Sequence, residues 1–162
     1  MERQILEAIR DMIATRQVLG LAVLIDGEPE ASLLPYAVRA DYGALYVQAS
    51  GLARHSRGLQ PGARVGVLIH EPELPGADPL QTPRLTAQAT VTVLDRGSEA
   101  FERAREAFVG RFPSAEMTLN LGDFTLYELE FGRGRYVAGF AQAYNLGPDT
   151  FRQVAALKTP TH

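Results

Sequence analysis

Polar and apolar residues alternate with two different periods along this chain, and the switches between them mark its elements. Over residues 2–16, Ile5, Ile9, Met12 and Ile13 recur at helical spacing with charges between them, which predicts an amphipathic helix. The run from Val18 to Ile25 reads as a buried strand, and Asp26-Gly27 after it is a tight-turn signal. Its hairpin partner is expected over Ala31–Arg39, followed by a turn at Asp41-Tyr42-Gly43 and a third strand over Ala44–Gln48. A short helix is expected over 52–60, closed by Pro61-Gly62, then a fourth strand over Val65–His70. Residues 71–83 hold four prolines, a glycine and three acids with no periodicity, and read as a loop.

Strict alternation returns over Arg84–Leu94. Leu85, Ala87, Ala89, Val91 and Val93 take one side, and Thr86, Gln88, Thr90 and Thr92 the other, as in a half-buried strand. Ser98–Arg111 reads as a helix with Ser98 as its N-cap. A further helical turn is expected over Pro113–Leu119. Phe124–Phe131 and Tyr136–Ala143 read as two last strands, with Gly132-Arg133-Gly134 as the β-turn between them, and Pro148–Leu157 as a helical tail. Six or seven strands joined mostly by short turns predict antiparallel pairing. Helices at the start, middle and end make the class α+β. A closed or partly open barrel is the economical way to leave few sheet edges.

At 162 residues the chain fits one domain, with enough burial to fold without staples. It contains no cysteine, which excludes disulfides, thiolate nucleophiles and Cys-ligated zinc. Met1–Gln4 opens the amphipathic pattern and does not read as a signal peptide, and Val18–Ile25 is too short to span a bilayer. The expectation is a cytoplasmic protein with no membrane partner. A net charge of −3 with dispersed basic residues argues against nucleic-acid binding.

Chemistry is concentrated in Ser50-Gly-Leu-Ala-Arg-His-Ser-Arg-Gly-Leu59. Ser50, Arg54, His55 and Arg57 fall where a short helix could begin, and helix starts offer unpaired N–H groups to anions. Two guanidiniums and an imidazole would make this a phosphate site, with the His55 pKa raised beside the dianion. The plainer reading is a solvated helix face. The polar side of the Arg84–Leu94 strand is ordinary alternation, or else Thr86 and Gln88 meet the edge of a heterocycle. No P-loop, G-x-G-x-x-G, G-x-S-x-G, H-x-x-x-H or H-E-x-x-H pattern occurs, so neither a catalytic triad nor a protein-bound metal ion is expected, and no catalytic residue is singled out. His70, at a strand end beside Glu71, reads as structural.

Several segments together resemble the FMN-binding split-barrel superfamily, the pyridoxamine 5′-phosphate oxidase-like proteins. They are Pro29–Tyr36, Leu45–Leu59, Val65–Pro72, Asp78–Leu80 and Arg84–Gln88. The closing Gly132–Leu146 stretch is similar to the branch containing bacterial haem-degrading split-barrel proteins. The resemblance covers residues 8–146 and implies a six-stranded antiparallel split β-barrel with flanking helices over 1–146. Residues 147–162 would be a tail, part of the same domain or disordered. It implies a homodimer that binds a small-molecule cofactor, FMN, between subunits, as a flavoprotein oxidoreductase of unknown substrate. Ser32, Leu33, Leu34, Pro35 and Tyr36 would border the ring, Thr86 and Gln88 would meet its edge, and Ser50, Arg54, His55 and Arg57 would hold the phosphate. Here His55 stands where the family has lysine. The chain carries no tryptophan to pack on a flavin and no counterpart of the oxidases' C-terminal Arg-x-His motif. Two alternatives go with the same barrel: a haem-binding or haem-degrading protein, with the tail imidazole of His162 as the iron ligand, and a non-catalytic dimeric binding module.

Overall fold

A computed structural model describes residues 1–157. The elements run α1 (Arg3–Thr15), β1 (Val18–Ile25), β2 (Glu28–Val38), β3 (Ala44–Ser50), β4 (Arg64–His70), β5 (Arg84–Val93), α2 (Glu99–Arg111), α3 (Ala115–Leu119), β6 (Phe124–Gly139), β7 (Gln142–Leu146) and α4 (Pro148–Ala155). The strands form one antiparallel sheet in the order β3-β2-β1-β4-β5-β6-β7. A further β3–β6 pairing, from Ala44↔Glu130 to Ser50↔Phe124, closes six of them into a barrel and leaves β7 as an extra strand. This is an α+β split barrel.

Local chemistry explains most of these elements. Asp26 and Gly27 both take positive φ, 53° and 80°, so the β1–β2 hairpin turns in two residues and pairs Ile25 with Glu28. β2 therefore starts at Glu28, three residues before the expected Ala31. Ser98 caps α2 by accepting from the Phe101 N–H at 3.1 Å. The helix expected over 52–60 is a single 3₁₀ turn, Arg54–Gly58. Its last residue lies against β1, where a Cβ on Gly58 would come within 2.5 Å of Val23 Cβ. The proline-rich 71–83 segment is a loop apart from one 3₁₀ turn, Pro79–Gln81, whose Leu80 N–H is capped by Asp78.

One expectation is overturned. Gly132-Arg133-Gly134 is no turn, because β6 runs unbroken through it for 16 residues. The chain reverses later, at Phe140-Ala141, where Ala141 adopts a φ of 58°. The register against β5 passes from Ala87↔Gly134 to Ala89↔Phe131, so Gln88 alone faces Gly132 and Arg133 across a β-bulge. The glycines permit that crossing: a Cβ on Gly134 would lie 2.5 Å from the Thr86 carbonyl oxygen. The bulge lets the first part of β6 close the barrel on β3 while the second part carries β7.

Two apolar clusters fill the molecule. The larger occupies the barrel and extends to α1 and α4, where Phe131 stacks on Phe151 with centroids 4.5 Å apart. Phe151 and Val154 of α4 are fully buried, which ties residues 148–155 to the barrel core. The smaller cluster packs α2 and α3 over Ala37, Tyr46 and Leu126, so β3 is buried on both faces. The outer faces of β1, β4 and β5 receive no helix. Val18 and Leu24 of β1, Leu68 of β4 and Leu33 of the adjoining β2 stand exposed on that side, with Leu33 at 69%. No helix among the described residues is long and apolar enough to cross a membrane.

Candidate functional site

A cleft of about 690 Å³ lies on that uncovered face. Its floor is built from small residues at paired positions, Gly20, Ala22, Ala31 and Gly66, with Leu68 beside them. Without large side chains the sheet presents a nearly flat apolar surface. Polar groups stand to one side: Thr86 and Gln88 from β5, Arg133 and Arg135 from β6, and Asn145 from β7. A size within the range of small-molecule sites, with an apolar lining and few convergent polar groups, fits a ligand site.

The arginines set its electrostatics. Arg133 Nε donates to Gln88 Oε1 at 3.2 Å, and Arg64 donates to the same oxygen. Arg135 Nη1 donates to Asn145 Oδ1 at 3.4 Å. Among the described residues none of the three meets a carboxylate, whereas Arg39, Arg54, Arg57 and Arg105 are all ion-paired. Guanidinium charge satisfied only by amide oxygens is available to an anion, which guanidinium binds in a bidentate manner.

The sequence-predicted residues divide between two places. Thr86 and Gln88 face the cleft, and Ser32 contributes to its lining. Leu33 points outward beside it, and Pro35 is half-buried. Leu34 and Tyr36 alternate inward instead, so their side chains serve the barrel core and are not offered to a ligand on the outer face. Tyr36 is wholly buried; its hydroxyl donates to the Ile13 carbonyl at 2.8 Å, and burial pushes its pKa up to about 12. Tyr36 is thus a structural tie between β2 and α1.

Ser50, Arg54, His55 and Arg57 are not in the cleft lining. The 3₁₀ turn that carries the last three packs on the β1–β2 hairpin. Arg54 Nε lies 3.0 Å from Glu30 Oε2, Arg57 Nη2 lies 2.9 Å from Asp26 Oδ2, and Ser50 Oγ donates to Asp123 Oδ2 at 2.8 Å. His55 turns inward: its Nδ1 is 3.1 Å from Ser32 Oγ, and its Nε2 is buried with no partner. Burial pushes the His55 pKa down, opposed by the Glu30 carboxylate.

Sequence reasoning missed Arg64, Arg133, Arg135 and Asn145. The one available signal was Gly132-Arg-Gly-Arg135, two cations spaced for one face of a strand, and reading it as a turn hid it. His70 is exposed at the end of β4 and lines a second groove that shares Gly20 and Leu68 with the cleft. Its Nδ1 is 2.7 Å from the Glu71 carbonyl, which can only accept, so Nε2 carries the free lone pair.

No family model matches the sequence. The chain is 29% identical over 143 residues to haem oxygenase HutZ of Vibrio cholerae, covering 87% of this chain and 80% of that protein. Haem also appears in the names of two similar solved structures. The structure of a haem-binding protein from Mycobacterium smegmatis superposes with a TM-score of 0.81 at 25% identity, over 94% of this chain and 62% of that one. The crystal structure of HutZ, there described as a haem storage protein, superposes with a TM-score of 0.69 at 27% identity, over 77% of this chain and 88% of that one. This chain thus spans less than two thirds of the Mycobacterium smegmatis protein. These names favour haem over FMN, which was the leading cofactor expectation from the sequence.

Proposed function

We propose that the chain is a haem-binding split-barrel protein that takes the porphyrin in the outer-face cleft of a homodimer. The observation that carries this reading is that Arg133 and Arg135, with Arg64 on Gln88, have no carboxylate partner among the described residues and stand beside a small-residue apolar floor. Haem is a planar apolar ring with two carboxylates on one edge, and those two properties ask for these two features. Gly20, Ala22 and Gly66 would lie under the ring, and Arg133 and Arg135, with Arg64 behind Gln88, would hold the carboxylates. When bound, haem supplies an iron centre able to coordinate and activate small ligands.

An imidazole is the expected protein ligand to that iron. His55 is excluded by its inward orientation, which leaves His70 on the outer face and His162, which lies outside the described residues. A second copy of the chain seated on the exposed Val18, Leu24, Leu33 and Leu68 would bury an apolar surface that no helix covers and would close the cleft from above. The haem oxygenase and haem storage names of the Vibrio cholerae relative support haem as the ligand.

Titration of ferric haem into the purified protein, followed by its Soret absorbance, tests the reading. Saturable binding is expected, weakened at least about tenfold in the Arg133→Ala/Arg135→Ala variant, as loss of charge-assisted bonds implies. Absence of saturable binding, or an unaltered affinity in the double variant, rejects it.

A further inference from the structure

The Ser50–Arg57 segment has the residue types of a phosphate cradle, yet its own neighbours already engage its side chains. Arg54 is paired with Glu30, Arg57 with Asp26, Ser50 with Asp123, and His55 with Ser32. Backbone donors are committed as well. The Gly51 N–H donates to the Asp123 carbonyl, Leu52 N–H to Ser50 Oγ, Ala53 N–H to the Ser50 carbonyl and Ser56 N–H to the Ala53 carbonyl.

Pairing by itself would not exclude a ligand. Arg54 and Arg57 are 74% and 62% exposed, and exposed ion pairs exchange partners at little cost. Charge sign is the stronger constraint. Each of the two guanidiniums is matched by one carboxylate, a third carboxylate, Asp123, holds Ser50, and the fourth member, His55, is held toward its neutral form by burial. The carboxylates belong to backbone that stays beside the segment: Asp26 is in the two-residue hairpin turn, Glu30 is in β2 opposite Val23, and the Asp123 carbonyl accepts from the Gly51 N–H. A phosphate dianion entering this cluster meets net negative charge. The cleft arginines have the opposite balance, with amide oxygens alone around them.

We infer that Glu30, Asp26 and Asp123 are specificity-determining residues that close the Ser50–Arg57 segment to phosphate-bearing cofactors such as FMN. The inference stands apart from the haem reading, since it concerns a different part of the surface and a different ligand.

FMN and riboflavin, the same ring with and without the phosphate, are the probes, with binding followed by quenching of flavin fluorescence. The wild-type protein is expected to show no preference for FMN. The Glu30→Gln/Asp26→Asn/Asp123→Asn variant is expected to gain FMN affinity by about tenfold or more over riboflavin, the order expected from removing like charges near a dianion at a protein surface. Adding Arg54→Ala should abolish the gain. If the triple variant does not melt cooperatively, Glu30→Gln alone is read in the same way, because it leaves Asp26 of the turn and the Ser50–Asp123 hydrogen bond untouched. Two results overturn the inference: wild-type protein that prefers FMN and loses that preference in Arg54→Ala, or a folded variant with no gain for FMN. Haem titration of the same proteins is scored separately, so failure of the haem reading leaves this result interpretable.

Discussion

The His55 imidazole, on the 3₁₀ turn, meets the Ser32 hydroxyl of β2, Nδ1 to Oγ at 3.1 Å, and its other nitrogen is sealed from solvent without a partner. Burial lowers the His55 pKa below its ordinary 6.5. The unfolded chain therefore binds a proton that the folded chain refuses, so stability rises with pH through the window below 6.5 and is lost as pH falls through it. Denaturant midpoints measured from pH 7 down to 5 should decrease, and the His55→Gln variant should show a shallower slope over that range. An identical slope in the variant would remove His55 as the cause.

Gly134 is where β6 crosses closest to β5. Gly134→Ala would place a Cβ 2.5 Å from the Thr86 carbonyl oxygen and 3.0 Å from Ala87 Cβ. Backbone cannot withdraw as a flexible side chain would, so the expected loss is about 1–3 kcal/mol of unfolding free energy. Gly122→Ala, with nothing within 4 Å of the added carbon, should lie much closer to wild type. Chemical denaturation of the two variants side by side checks the difference.

Leu33 stands on the uncovered sheet face at 69% exposure. Leu33→Asp should not perturb the barrel, whose core residues alternate to the other side of β2. It should halve the molar mass measured by light scattering after size exclusion, because a buried unpaired carboxylate is costly at a subunit interface. A wild-type protein that is already monomeric at micromolar concentration would contradict the proposed dimer.

Iron coordination separates the three histidines. His55→Ala should leave the ferric haem spectrum unchanged, since its Nε2 faces the protein interior. The imidazole signature in resonance Raman or electron paramagnetic resonance should disappear in either His70→Ala or His162→Ala. Loss of the signature in His55→Ala would mean that the 3₁₀ turn opens to the ligand.

Elements with a local cause were legible in the sequence. Asp26-Gly27 can turn in two residues whatever surrounds it, Ser98 caps α2 through an atom three positions away, and the alternation of Leu85 to Val93 is the same in any sheet. Those patterns suffice for antiparallel strands, flanking helices and the α+β class. The tertiary structure decided what depends on distant partners. Gly132 and Gly134 became a bulge in one long strand because β5 runs alongside them, more than 40 positions earlier in the chain. Arg133 and Arg135 line one cleft, with Arg64 bound to its Gln88, because β4, β5 and β6 are neighbours there, whereas Arg54 and Arg57 are neutralised because the β1–β2 hairpin brings Glu30 and Asp26 beside them. A side chain's charge can be read from the sequence. Whether that charge is left open to a ligand depends on which residues the fold brings within a few ångströms of it.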